Sequence, residues 1–281
     1  MPQIKFTKMH GIGNDYVYIN CFEQQIDNPN ELALKMSPRR FSVGADGVIL
    51  ICPSDVADAK MRMFNLDGSE GKMCGNGIRC VGKFIYDNGI AKKDTFTVET
   101  LSGIKTLKIT DKNGFADTIT VDMGKAEFLP DKIPAIADCE SIIDTAITVN
   151  GDDYNITAIS MGNPHAVTFC DEIDSLNLSK IGPGFEHHDM FPEQVNTEFV
   201  RVIDDQTLQM RVWERGSGET FACGTGACAA AVAAVVNGYC KSDTEITVHL
   251  VGGDLFITYT SDGNVFMRGP ATKVFDGIYE F

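Results

Sequence analysis

No apolar run in the 281-residue sequence approaches the ~18 residues that a membrane span requires. The first residues, MPQIKFTKMHG, also lack the apolar stretch of a secretory signal. A soluble, cytoplasmic protein with no membrane partner is the expectation. Positive charge is scarce: 24 Lys and Arg stand against 39 Asp and Glu, for a formal net charge of −15. The only basic doublets are Arg39-Arg40 and Lys92-Lys93. Binding nucleic acid takes a basic face, so nucleic acid is excluded as a partner. A carboxylate gripped locally by a helix end is not excluded. The nine cysteines are odd in number, with no Cys-x-x-C and no His pair at zinc-ligand spacing. That disfavours both a disulfide framework and a structural zinc site, and no metal is expected. Neither a Walker loop nor a Gly-x-Gly-x-x-Gly after a strand occurs, so no cofactor is expected either.

What the sequence does have is a repeated motif. Cys74 opens CGNG and Cys223 opens CGTG, 149 residues further on. At the same offset Arg62 falls on Arg211, Phe64 on Trp213, Asn65 on Glu214, Glu70 on Glu219, Asn88-Gly89 on Asn237-Gly238 and Gly13-Asn14 on Gly162-Asn163. With a one-residue slip, FTVETLSG from Phe96 matches ITVHLVGG from Ile246. Identities spread over this length indicate two copies of one unit, and two copies make a duplicated domain rather than a solenoid. A hydrophobic content of 43% is enough for two ordinary cores.

Within each copy, the segment after the cysteine reads as a helix. Ile78, Val81, Phe84 and Ile85 recur at helical spacing, and Asn88-Gly89 is a helix stop. The partner, GACAAAVAAVVNG, is apolar on every face and must be buried all round. Short alternating or β-branched runs surround both helices: DYVYIN, GVILIC, TFTVET, TLKIT, TITVDM, AITVN, AVTFC, LQMRVW, EITVHL and LFITYT. The fold class is therefore α+β, with two pseudo-symmetric domains, each a curled, mostly antiparallel sheet around a central buried helix. The domains are placed at 1–124 and 125–268, with a linker near Pro130 and Pro134, and the tail 269–281 is expected to rejoin the first domain.

Glycine after a cysteine at a helix start has a chemical use. First-turn N–H groups lack intrahelical partners and the dipole end is positive, which favours a thiolate and a carboxylate there. Two such ends, related by a pseudo-twofold axis and opening on one cleft, would set sulfurs on opposite sides of one α-carbon. One thiolate would then take the α-proton while the opposite thiol protonates the other face.

These residues resemble the diaminopimelate epimerase family of pyridoxal-independent amino-acid racemases. The resemblance covers nearly the whole chain and rests on KMHGIGNDYV, FNLDGSEGKMCGNGIRC, SMGNPHAV, FPEQVNTEF and ERGSGETFACGTGACAA. It implies a cofactor-independent epimerase acting on a small amino-acid substrate, LL- or meso-diaminopimelate, in lysine and peptidoglycan precursor synthesis. By it, Cys74 and Cys223 are the acid–base pair, with His165 and Glu214 setting the thiol environment. Asn14, Asn65, Asn163, Asn196 and Arg215 would hold the distal head of the substrate. Gly75-Asn76 and Gly224-Thr225 would bind the carboxylate at the reacting centre, with Glu214 beside it. Gly47 departs from members that carry Gln there. A homodimer is compatible with this reading.

Other readings stay open on the residues alone. Asn14 and Asn163 follow glycines and could simply shape turns. His165 could be a satisfied core histidine and Arg215 a solvated charge, while Arg62 and Arg211 are expected to pair with Glu70 and Glu219 as structural elements. Proline racemases, carboxylate-based isomerases of this architecture, thiol redox proteins and inactive binding modules are the rival functions. The Asn set and Arg215 disfavour the first and the paired cysteines the second; a redox protein would need a reductant for turnover, and an inactive module would bind ligand without exchanging its α-hydrogen.

Overall fold

The computed structural model describes residues 3–280. The chain forms two compact units, 1–122 with 268–281, and 123–267.

The first unit contains β1 (Gln3–Gly11), β2 (Asn14–Asn20), α1 (Pro29–Met36), β3 (Gly47–Cys52), β4 (Ala59–Asn65), β5 (Glu70–Gly71), α2 (Gly75–Asp87), β6 (Thr95–Thr100), β7 (Gly103–Lys112) and most of β8 (Phe115–Lys125). Most neighbours pair antiparallel, β1 with β2, β3 with β4, β6 with β7 and β7 with β8. Parallel pairs β2–β3 and β4–β6 break the meander.

The second unit repeats this order after one additional strand, β9. It holds β9 (Thr145–Val149), β10 (Asp152–Ser160), β11 (Pro164–Phe169), α3 (Leu178–Glu186), β12 (Asn196–Asp204), β13 (Thr207–Glu214), β14 (Gly218–Thr220), α4 (Gly224–Val236), β15 (Glu245–Leu250), β16 (Gly253–Tyr259) and the start of β17 (Asn264–Pro270). Its parallel pairs, β11–β12 and β13–β15, are the counterparts of those in the first unit. The chain then ends in β18 (Thr272–Glu280), which lies antiparallel on β1 within the first unit.

The two central helices follow the repeat to the residue: α2 and α4 start, end and are capped at positions 149 apart. Amphipathic α2 keeps only Lys83 and Asp87 out of its buried set, and it packs on β1, β2 and β7. Helix α4 is buried from Gly226 to Ala234 and touches β10, β11, β12, β13, β15 and β16, so the sheet encloses it. An all-round apolar helix is stable only in such an envelope. The C-cap amides of Asn88 and Asn237 donate to Phe84 O and Ala233 O, both at 2.8 Å, and stop the two helices alike. The Arg–Glu pairs also repeat: Arg62 Nε and Nη2 donate to Glu70 at 2.8 and 3.0 Å, and Arg211 Nε donates to Glu219 at 2.9 Å.

The segment with Pro130 and Pro134, where a linker is expected, lies inside the second unit. Pro130 starts a short helical turn, where a missing N–H costs nothing, and Ile133 and Ala135 enter the core of the second unit. The chain passes between units within β8 and returns within β17.

Candidate active site

In the first unit, Cys74 is the N-cap of α2. Its backbone is extended and its sulfur accepts the Gly77 N–H at 3.3 Å. The thiol donates to Asn14 Oδ1 at 3.2 Å. Asn14 is held in turn: its Nδ2 donates to Asp46 at 2.7 Å, and Arg39 pairs with both Asp46 and Asp15. Burial pushes the Asp15 carboxyl up, but hydrogen bonds from Arg39 and Lys8 outweigh it and hold it below the usual 3.8. Gly75 and Asn76 form the first turn of α2. Asn76 Oδ1 accepts from Arg79 at 2.9 Å. Asn65 ends β4, where its amide donates to Ser69 at 3.0 Å across the turn that follows. Gly47 has no room for a side chain: a Cβ there would overlap the Phe64 carbonyl and press on the Tyr16 ring.

In the second unit, Cys223 caps α4 identically, accepting the Gly226 N–H at 3.3 Å, with Thr225 Oγ1 3.5 Å from the sulfur. Its surroundings differ. Glu214, at the end of β13, accepts a hydrogen bond from the Thr220 hydroxyl. Burial, then the charges of Glu214 and Glu198, push the Cys223 thiol well above its ordinary 9.0. Burial also raises Glu214 above 4.5, against the pull of Thr220. These surroundings favour the thiol over the thiolate at Cys223. His165, fully buried on β11, has Nδ1 2.7 Å from Glu198 Oε1 and Nε2 3.1 Å from Asn163 Oδ1.

The structure therefore gathers Cys74, Asn14, Gly75 and Asn76 in one unit, and Cys223, Thr225, Glu214, His165 and Asn163 in the other. Asn196 and Arg215 form a third set. Asn196 gives its amide NH2 to Pro164 O at 2.8 Å and its oxygen to the Arg215 N–H at 3.0 Å, so both ends of the side chain serve backbone. The exposed Arg215 guanidinium donates to Glu193 O at 2.8 Å.

Two residues beside these cysteines escaped the sequence reading. Arg79 is fully buried under the first turn of α2, donating to Gly75 O, Asn76 Oδ1 and Pro270 O at 3.2, 2.9 and 3.2 Å. The signal was an arginine set between the apolar Ile78 and Cys80 of α2. Glu198 is fully buried on β12, and its signal was an acid inside NTEFV. Among the described residues, no group of three or more His, Cys, Asp or Glu is placed to hold a metal, and no helix is long and apolar enough to cross a membrane.

Comparison with known proteins agrees with the motif reading. A family model described as diaminopimelate epimerase matches residues 6–129 and 157–274. A diaminopimelate epimerase of Acetivibrio thermocellus is 54% identical over 275 residues, covering 98% of each chain. One from Bacillus cereus is 51% identical over 285 residues, covering 100% of this chain and 99% of its own. Among solved structures, a Bacillus anthracis phenazine biosynthesis protein of the PhzF family superposes with a TM-score of 0.70 at 16% identity over the whole of both chains. A hydroxyproline epimerase from Agrobacterium vitis reaches 0.70 at 13% identity, covering 99% of this chain and 91% of its own. These two share the α+β fold and nothing more is read from them. With a family model spanning most of its length and relatives above half identity, the chain belongs to the diaminopimelate epimerase family.

Proposed function

We propose that the protein interconverts LL- and meso-diaminopimelate without a cofactor, by a two-base mechanism that uses Cys74 and Cys223. The observation that carries this reading is the pair of cysteines capping equivalent helices in duplicated units, in a chain of this family. One sulfur, as thiolate, removes the α-proton; the other, as thiol, delivers a proton to the opposite face of the carbanion. Burial and the charges of Glu214 and Glu198, which favour the thiol form of Cys223, suit it to the acid role in one direction. As charge flows onto the substrate carboxylate, first-turn N–H groups at Gly75-Asn76 and Gly224-Thr225 stabilise it. Asn14, Asn65, Asn163 and the Arg215 fork hold the distal amino-acid head, a task for amides and a planar cation. Asn196 contributes through the Arg215 backbone it anchors. A proline-sized ring would give these distal groups nothing to bind.

The test is turnover of LL-diaminopimelate in deuterated water, followed by chiral chromatography and mass spectrometry. The meso product is expected to carry one deuterium, at the inverted carbon. Product that keeps its original hydrogen would refute the two-base scheme, and turnover of L-proline in place of diaminopimelate would refute the substrate.

A further inference from the structure

Two strand pairs matched by the duplication end in different chemistry. In the first unit β2 runs parallel to β3, in register as far as Asn20 opposite Ile51, and the Cys21 N–H donates to Ile51 O at 2.8 Å. In the second unit β11 runs parallel to β12 as far as Phe169 opposite Val200, and the Cys170 N–H donates to Val200 O at 2.9 Å. One residue further on, Cys21 stands across from Cys52, and Cys170 stands across from Arg201. Both units thus carry a cysteine at the end of the first strand, and the first unit alone sets another cysteine across from it. Neighbouring strands lie about 4.8 Å apart. A disulfide joins Cα atoms about 4.4–6.8 Å apart, so opposed places on paired strands suit one.

The two sulfurs also share an opening. Cys21 and Cys52 are both half-buried, and they line one cavity of about 410 Å³ with Phe22, Gln24, Pro53 and Arg62. The Cys21 thiol beside it holds Cys52 below its ordinary 9.0, against burial and with help from the Arg62 and Lys60 charges. Cys52, then burial, pushes the Cys21 thiol up. Burial, then the Asp171 charge, likewise raises Cys170, which has no thiol across from it. This pair is not part of the site around Cys74. Asn14 begins β2, and Cys21 follows its last residue, roughly 20 Å along the strand.

We propose that Cys21 and Cys52 form a reversible dithiol/disulfide site, oxidised by a low-molecular-weight disulfide that enters their cavity. The Cys52 sulfur, as thiolate, attacks one sulfur of the reagent. The reagent's S–S bond breaks, one half leaves as a thiolate, and the other half stays on Cys52 as a mixed disulfide. Cys21 loses its proton to the released thiolate and attacks the Cys52 sulfur, which expels the second half. The protein gives up two electrons and two protons, and the reagent becomes two thiols.

The test treats the folded, fully reduced protein with oxidised glutathione, blocks remaining thiols with N-ethylmaleimide, and maps tryptic peptides without reduction. Residues 9–35 and 41–60 form separate peptides holding Cys21 and Cys52, each with no other cysteine. In wild type these two are expected to appear joined, lighter by two hydrogens than their sum, and to separate on treatment with dithiothreitol. Cys21→Ser is expected to stop with glutathione on Cys52. Cys52→Ser is expected to take up glutathione at Cys21 at least about tenfold more slowly. Wild-type peptides that stay unjoined, whether alkylated or each carrying glutathione, overturn the proposal without any variant. Faster uptake in Cys52→Ser than in Cys21→Ser overturns the order of attack. Cys170 is the control inside the same chain: it is expected to keep its free thiol or stop at a mixed disulfide. Loss of the free Cys170 thiol as fast as that of Cys52 would show that the opposed pair confers nothing. None of these readings depends on epimerase turnover.

Discussion

The starts of α2 and α4 are copies of one design with different charged groups beside them. Each has an N-cap cysteine, a glycine N–H on its sulfur at 3.3 Å, and a glycine where side chains press close. Under α2 stands a buried cation, Arg79; its counterpart in α4 is Cys228, also fully buried. Around Cys223 stand Glu214 and Glu198, where the first unit has Asn65 and Ile49. Duplication fixed where the sulfurs lie on their units, and substitution at a few neighbouring positions set the electrostatics of each. An enzyme that must protonate from one side and deprotonate from the other gains from such a difference, since identical thiols would hold the same protonation state at any one pH.

The largest expected effect breaks the symmetric part of this comparison. Cys74→Ala and Cys223→Ala should each lower kcat by at least about 10³-fold, within the range of a lost general acid or base. Each should fold, since a lost N-cap interaction costs only about 1 kcal/mol. Steady-state assays in both directions decide it. A variant that retains substantial activity would show that one unit carries the chemistry alone.

Arg79 sharpens the asymmetric part. Arg79→Met leaves the Pro270 carbonyl and the Asn76 side chain without a charged donor, and should cost about 2–4 kcal/mol. The matching change in the second unit, Cys228→Ala, removes one small apolar group and should cost about 1 kcal/mol. Urea unfolding of the two variants measures the ratio. Equal losses would mean that Arg79 is a space filler, and the charge contrast would have no energetic content.

Much of this was legible in the residues. The offset of 149 aligned helices, helix stops and Arg–Glu pairs, because each depends on local spacing and on burial patterns that one unit shares with the other. The runs read as strands all lie in strands or extend a residue beyond them. Strand β4, with Arg62 among its apolar residues, and α1, short and begun by Pro29 after an Asn28 cap, carried too weak a pattern to be read. Glu198 and Arg79 were missed for a different reason. Their meaning comes from which strand or tail packs on them, and from burial of a charge that sequence pattern alone assigns to the surface. Asn196 shows the converse: the motif marks it for ligand, whereas its amide is occupied by Pro164 and Arg215 backbone.

The smallest effect tests whether the carboxylate beside Cys223 is strained by its site. Burial raises the Glu214 carboxyl above its ordinary 4.5, so the folded chain holds this proton more tightly than the unfolded chain does. The stability tied to that proton is full below pH 4.5 and is lost as pH rises through the folded value. Glu214→Gln keeps an acceptor for Thr220 and removes the titration. Its melting temperature relative to wild type should therefore climb between pH 4.5 and pH 8, by the equivalent of about 1.4 kcal/mol for each unit of displacement. Asn65→Ala, the change at the matching position in the first unit, removes nothing that titrates, and its difference from wild type should stay flat over the same range. Thermal unfolding at a series of pH values reads both. A flat line for Glu214→Gln would mean that the carboxylate is as well solvated folded as unfolded, and the contrast between the two cysteines would then rest on Glu198 alone.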